Sequence, residues 1–257
     1  MSDTKGNPGA RRERSNLKRL VVLTGAGMSA ESGFSTFRDA GGLWENYNVE
    51  DVASIEGWYR NPRLMVDFYN GLRTQLEKAE PNEGHRILAA LEEFFDVGIV
   101  TQNVDNLHER AGSTNVLHLH GELTKARSVN DENKIYDIGY RRMEYGERGE
   151  DGALLRPHIV WFGEAVPMIS EAARWVRGAD IFAVVGTSLN VYPAAGLIHD
   201  LRGSARAFLI DPKEVSVPSS LHFTVFREGA SKGLALMRDA LLSNQPRGAS
   251  DSIDAKG

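Results

Sequence analysis

Val21-Val22-Leu23-Thr24-Gly25-Ala26-Gly27-Met28-Ser29-Ala30 is the stretch on which the fold turns. Three aliphatic residues in a row read as a buried strand, and the two glycines of the next turn let backbone approach a ligand with no Cβ in the way. Written out, the turn is G-x-G-x-x-A, a pattern that sets a pyrophosphate against a helix N-terminus. By itself it is equally compatible with a bare tight turn, so the surrounding elements decide.

Working outward, residues 18–24 are the first strand, and residues 29–32 leave room for only a short helix before Gly33. A hydride-transferring dehydrogenase would run that helix on to a second strand with an acidic residue about 20 positions later. Here Phe34-Ser35-Thr36-Phe37-Arg38-Asp39-Ala40-Gly41-Gly42-Leu43-Trp44 follows instead. Two aromatics, an arginine and a glycine pair suit a flap over a bound cofactor, with Arg38 placed for bidentate phosphate contacts; the plain alternative is a surface loop with Phe anchors.

The 257 residues suffice for one large domain with a smaller companion, and 41% hydrophobic with 25% charged residues is ordinary globular composition. A formal charge of −5 offers no basic field for nucleic acid or acidic lipid. The chain has 0 cysteines, which excludes disulfides and thiolate metal sites. No apolar run approaches the roughly 20 residues of a membrane span. A cytoplasmic location is the expectation, with disordered tails at 1–16 and 244–257.

Farther along, Val52, Ile55 and Trp58 share one helical face, and Leu64, Met65, Phe68, Leu72 and Leu76 another, with Pro62 in a first turn. Residues 83–94 read as an amphipathic helix and 97–101 as a strand, the alternation of a parallel sheet. At that strand's end stand Gln102, Asn103 and Asp105, where open α/β sheets bind ligands; a helix N-cap would account for one of them, with Gly112 as the residue past the helix end.

Residues 115–121 read as a strand with His118 and His120 on one side. Two histidines raise a metal site, yet no third ligand lies at short spacing, and one histidine as a general base is the better reading. Residues 122–155 read as an insertion, and 154–164 as an extended apolar strand able to pair with a peptide, or to pack Val160 and Phe162 in the core. Strands at 180–188, 206–212 and 222–227, with helices at 193–201 and 232–242, complete the sheet. Polar residues thus recur at successive strand ends, as a dinucleotide site requires.

In this order GAGMSAESG, TFR, TQNVDNLHERAG, HLHGEL, VWFGE and GTSLNVYPAA resemble the sirtuins, NAD-dependent protein-lysine deacylases, over roughly residues 18–242 and most nearly the bacterial class III members. The resemblance implies an α/β fold: a Rossmann-like parallel sheet with helices on both faces, plus a smaller domain from insertions at about 41–80 and 122–155. It implies a catalytic domain over 17–243.

By similarity, Gly25, Ala26, Gly27 and Arg38 hold the NAD phosphates, Phe37 screens the reacting ribose carbon, and Asn103 and Asp105 stand at the nicotinamide pocket. Gly186, Thr187 and Ser188 would line the ribose and phosphate region and Ala230 the adenine end, with Glu31, Gln102 and Asp211 among the cofactor-binding residues. Tyr69, Ala40, Leu72, Val160, Trp161, Phe162 and Gly163 would bound the acyl-lysine cleft. In the chemistry so implied, the acyl oxygen attacks the nicotinamide ribose, nicotinamide leaves, and His120 deprotonates a ribose hydroxyl that attacks the resulting imidate. The partners implied are acyl-lysine proteins or peptides.

Three departures stand out. The family's four zinc cysteines are absent, with Ser128 near the first, so zinc's contribution to folding the small domain must come from packing or be absent. Members that prefer acidic acyl groups pair the tyrosine with an arginine three residues on; here that position is Leu72, with Arg73 about 100° farther round the helix. Leu209 falls where the family has an asparagine at the adenosine ribose, with Asp211 the nearest polar group. Two rival activities share the cofactor residues: NAD hydrolysis or ADP-ribose transfer, and non-catalytic NAD binding.

Overall fold

The structure is a computed structural model that describes residues 17–34 and 47–243; Phe37, Arg38, Ala40 and the two tails lie outside the described residues. β1 (Arg19–Thr24) is followed by two single 3-10 turns, Ala26–Met28 and Ala30–Ser32, closed by Gly33 at φ 72°. The short helix expected there is thus a pair of tighter turns.

Three helices follow: α1 (Val49–Val52), α2 (Ile55–Arg60) and α3 (Pro62–Lys78). The single apolar face through Val52, Ile55 and Trp58 is cut because Ser54 accepts a hydrogen bond from the Gly57 N–H and starts a new helix. Asn61 caps α3 ahead of Pro62, a residue whose missing N–H costs nothing in a first turn. α4 (Glu83–Ala90) opens with a reciprocal Asn82–His85 capping box and passes into a 3-10 turn, Leu91–Glu93, within the span expected to be one helix.

Then come β2 (Asp96–Thr101), α5 (Leu107–Arg110), β3 (Val116–His118), β4 (Gly121–Ser128), β5 (Ile135–Asp137) and β6 (Leu155–Ile159). α6 (Ile169–Arg177), β7 (Ile181–Val185), β8 (Arg206–Ile210), β9 (Phe223–Phe226) and α7 (Ala230–Leu242) finish the described chain. The element expected at 193–201 is a 3-10 helix, Ala194–Asp200, and the last helix starts at Ala230 rather than 232.

Six strands form one parallel sheet in the order β3-β2-β1-β7-β8-β9. The order runs outward from β1 on one side and from β7 on the other, so the winding reverses between them and opens a crevice at their carboxyl ends. Leu20, Val22, Ile99 and Phe208 pack under α4 and α7, while Val21, Leu23, Phe182 and Val184 pack under α6 and the 194–200 segment. Burial on both faces explains the unbroken aliphatic runs in the sequence.

The smaller domain joins α1–α3 to an antiparallel sheet of order β5-β4-β6. Its core gathers Trp58, Met65, Phe68, Leu72, Leu123, Leu155 and Trp161. At the far end of this sheet, Ser128 donates to Asp151 at 2.7 Å and accepts the N–H groups of Asn130 and Asp131. Asp151 also accepts the Ala153 N–H and lies 3.8 Å from Lys134, so a polar cross-link occupies the end near Ser128. Among the described residues no group of three histidine, aspartate or glutamate side chains could hold a metal. No described helix is long and apolar enough to cross a membrane.

Candidate active site

The carboxyl ends of β1, β2 and β7 are stitched to one another by backbone and side-chain bonds. The Gly25 N–H reaches the Val185 carbonyl, the Gly27 N–H the Gly186 carbonyl, and the Gln102 N–H the Thr24 carbonyl. Gln102 Nε2 crosses the crevice to Thr187 Oγ1 at 3.1 Å. A Cβ on Gly25 would stand 2.6 Å from Thr187 Cβ, and one on Gly27 2.7 Å from the Gly186 Cα. These glycines therefore serve the close crossing of two strand ends as well as any approach by a ligand.

Beside that crossing, Ser29, Asn103 and Asp105 form a buried knot. Ser29 Oγ donates to Asp105 Oδ2 at 2.9 Å and accepts from Asn103 Nδ2 at 3.1 Å. Asp105 Oδ1 takes the Leu107 N–H at 3.1 Å from one residue ahead of the N-cap, Asn106, whose own side chain makes no capping bond, so the helix-cap alternative for Asp105 or Asn103 does not hold. Burial pushes the Asp105 carboxyl above its ordinary range, and the Leu107 and Ser29 hydrogen bonds oppose that rise. Thr24 and Thr101, opposite each other in the sheet, share a 2.9 Å hydroxyl bond, and Thr101 Oγ1 accepts the Asn103 N–H.

His120 closes the constellation. Its Nδ1 lies 3.0 Å from the Gln102 carbonyl, which can only accept, so Nδ1 carries the proton and the neutral ring keeps its Nε2 lone pair. Burial lowers the imidazole below its ordinary value, and the Gln102 bond partly restores it. His118 lies on the same side of the chain and is bound to Asn103 and Glu109, so the two histidines grip one loop.

On the outer side, Glu31 accepts the Ser231 N–H at 3.1 Å and so caps α7 next to buried Ala230. Asp211 folds onto the Lys213 N–H, and Leu209 is buried in the sheet core. Thr187 is half-buried and Ser188 exposed at the rim.

The residues expected around the acyl group divide. Tyr69, Leu72 and Trp161 are buried in the small-domain core, whereas Phe162 is 48% exposed. Trp161 Nε1 donates to the Tyr69 hydroxyl at 2.8 Å, and burial holds that phenol far above its usual range, so it stays a donor. The expected peptide-pairing edge needs correcting at two positions. The Val160 N–H is taken by the His120 carbonyl, and Phe162 pairs through its N–H and C=O with Ala53 and Ile55, because these residues join the two domains. Gly163, at φ 89°, turns the chain outward from there.

Sequence reading missed what holds that turn. The Arg156 guanidinium lies 3.5 Å from the Trp161 ring centre and forks onto both Glu164 oxygens at 2.7 and 2.8 Å. Glu164 also accepts the Trp161 N–H and a bond from Arg127. The signal available was the short spacing of Arg156 and Glu164 around an aromatic run; Ser29 stood inside the quoted glycine motif.

With this geometry in place, comparison with known proteins identifies the lineage. Residues 25–193 match the model of the Sir2 family. The chain is 56% identical over 231 residues to an NAD-dependent protein deacylase of Bacteroides thetaiotaomicron, covering 88% of this chain and 99% of that protein. It is 51% identical over 197 residues to one of Helicobacter pylori, covering 77% and 84%. Among solved structures, a Sir2 homologue in complex with NAD is 33% identical, with TM-score 0.79 and coverage of 95% and 96%. The chain belongs to the Sir2 family.

Proposed function

We propose that this protein is an NAD-dependent protein-lysine deacylase, with residues 17–243 as its catalytic domain and residues of the crevice between β1 and β7 as its NAD site. One observation carries the reading: His120, anchored through Nδ1 on the Gln102 carbonyl, keeps an unprotonated Nε2 at the loop that carries Asn103 and Asp105, which Ser29 ties together. A relative that shares most of its length with this chain bears the name of that activity.

The residues present fit the dinucleotide. The Ala26 and Thr187 N–H groups take no backbone partner among the described residues, which leaves donors for phosphate at the winding reversal. Asn103 and Asp105 offer an amide and a carboxylate of the kind that recognises a carboxamide ring. When bound there, NAD supplies a ribose carbon whose bond to nicotinamide breaks and a sugar that accepts the acyl group.

What the chain supplies is position and a base. Ser29 holds the Asn103 and Asp105 side chains in one orientation, while buried Thr24 and Thr101 hold the loop that carries them. His120 Nε2 takes a proton from a sugar hydroxyl and can return it later. Phe162 and Gly163 bound the channel for the lysine, backed by buried Trp161 and kept in shape by Arg156 and Glu164.

The acyl group taken is neutral. Leu72 is buried among apolar side chains, and Arg73 is committed to the Leu123 carbonyl at 2.7 Å and to Asn70. Leu72 has no charge to offer an acyl carboxylate, and Arg73 is engaged through Nε and Nη1, which leaves only its buried Nη2 without a partner among the described residues. Incubating the protein with NAD and acetyl-, longer fatty acyl- and succinyl-lysine peptides is expected to give nicotinamide and an O-acyl-ADP-ribose, with succinyl-lysine the poorest. Succinyl-lysine as the favoured peptide would refute the acyl assignment; ADP-ribose without acyl transfer, or no turnover, would refute deacylation.

A further inference from the structure

His118 is not needed for the chemistry just described, yet it is among the most constrained polar groups of the site. Its side chain is 7% exposed. Nδ1 stands 3.1 Å from the Asn103 carbonyl and Nε2 2.8 Å from Glu109 Oε1. A carbonyl can only accept, and so can an ionised carboxylate, whereas a neutral imidazole has one N–H to give. Glu109 is 39% exposed, and despite burial its bond to His118 and the charge of His118 hold its carboxyl below the usual range, so it is the ionised partner.

From this geometry we propose that His118 is a doubly protonated positioning residue, whose imidazolium is clamped by Glu109 and pins the Asn103 carbonyl, fixing the turn that carries Asn103 and Asp105. The inference rests on the deacylase reading only in naming that turn as the nicotinamide pocket. The clamp itself is a property of the folded chain.

The surrounding charges support it. Burial lowers the pKa of the ring, but the Glu109 bond and charge, Glu122 on β4 and the Asn103 carbonyl outweigh burial and raise it overall. The other titratable groups facing it are Asp105, ahead of α5, and His108 on α5. The charge of His118 opposes the burial-driven rise of the Asp105 pKa and adds to the burial that keeps His108 neutral. Because the folded value is raised, the stabilisation is complete below the unfolded value of about 6.5 and is lost as pH rises through the folded value.

The strand register explains why a histidine serves here. Thr101 faces His118 across β2 and β3, which sets the ring beneath the residues that follow Thr101. His118 and His120 then donate from Nδ1 to the consecutive carbonyls of Asn103 and Gln102. One ring is closed at both nitrogens, and the other is left with a basic one.

The test uses the full chain labelled with 15N, in long-range proton–nitrogen spectra between pH 5 and 9, with assignment by a His118→Gln variant. Both ring nitrogens of His118 are expected to remain protonated at pH 7.5, and Glu109→Gln is expected to lower its proton affinity roughly tenfold. In turnover assays, His118→Gln is expected to weaken inhibition by nicotinamide roughly tenfold while KM for the acyl peptide changes less than about threefold. A neutral His118 at pH 7.5, or unchanged inhibition by nicotinamide in a folded His118→Gln protein, would overturn the proposal. Should that variant fail to fold, Glu109→Gln carries both measurements. Absence of NAD-dependent turnover in the wild-type chain would refute the deacylase reading alone, since the spectra decide the charge of His118 without NAD.

Discussion

Replacing His120 with alanine is expected to lower kcat/KM for deacylation by about 100- to 10,000-fold, the range for removing a general base, while NAD affinity stays within about threefold. The expectation follows from the tautomer. With Nδ1–H held by the Gln102 carbonyl, Nε2 is the atom that can accept a proton, and alanine leaves nothing in its place. The pH profile supplies a second readout. The base works only when unprotonated, and burial lowers its pKa, so the acid limb of kcat/KM should lie below the ordinary histidine value of about 6.5. Single-turnover assays across pH 5–9, with NAD binding measured calorimetrically, check both. Retained turnover in the alanine variant would remove His120 from the chemistry.

Gly186→Ala should damage the site from the opposite direction, through the backbone. Gly186 has φ 61°, and a Cβ there would stand 2.4 Å from the Met28 nitrogen and 2.5 Å from the Gly27 carbonyl carbon. Both obstacles are main chain and belong to the turn after β1, so neither can swing aside. Overpacking together with a left-handed conformation is expected to cost roughly 3 kcal/mol or more and to abolish NAD binding in whatever folds. Gly203→Ala is the control, since nothing stands within 4 Å of its added Cβ, and it should move stability by less than about 1 kcal/mol. Urea unfolding of the two variants tests this, and a Gly186→Ala protein within 1 kcal/mol of wild type would show that the crossing can relax.

The Arg156–Glu164 clamp bears on the same cleft. It is a partly buried ion pair, with Arg156 buried and Glu164 half-buried, and pairs withdrawn from water are poor sources of net stability but costly when one partner is removed. Here the pair fixes the direction in which Gly163 leaves the core. Its value to the protein lies in the shape of the lysine channel.

Much of this was legible in residue order. Aliphatic runs at 20–23, 97–100 and 181–185 marked strands because strands buried on both faces must be apolar throughout. Gly25 and Gly27 were legible as backbone positions, though the close packing of the turn after β1 on Gly186 after β7 was not. The splits at Ser54 and after Ala90 were missed because a hydrogen bond or a tightened turn at one residue outweighs the apolar periodicity of the whole segment.

The chain's local pattern by itself determined the strands of the parallel sheet, the family and the small set of polar residues at strand ends, since strand periodicity, glycine turns and motif spacing are short-range properties. The tertiary structure alone decided which acceptor each histidine meets. Histidines two residues apart have the same chemistry in a linear chain, and only the register of β3 on β2 gives His118 two acceptors and His120 one. The same holds for Trp161 buried beside exposed Phe162: contacts with Tyr69, Ala53 and Ile55, about a hundred residues earlier in the chain, fix which side chain is core and which faces the cleft.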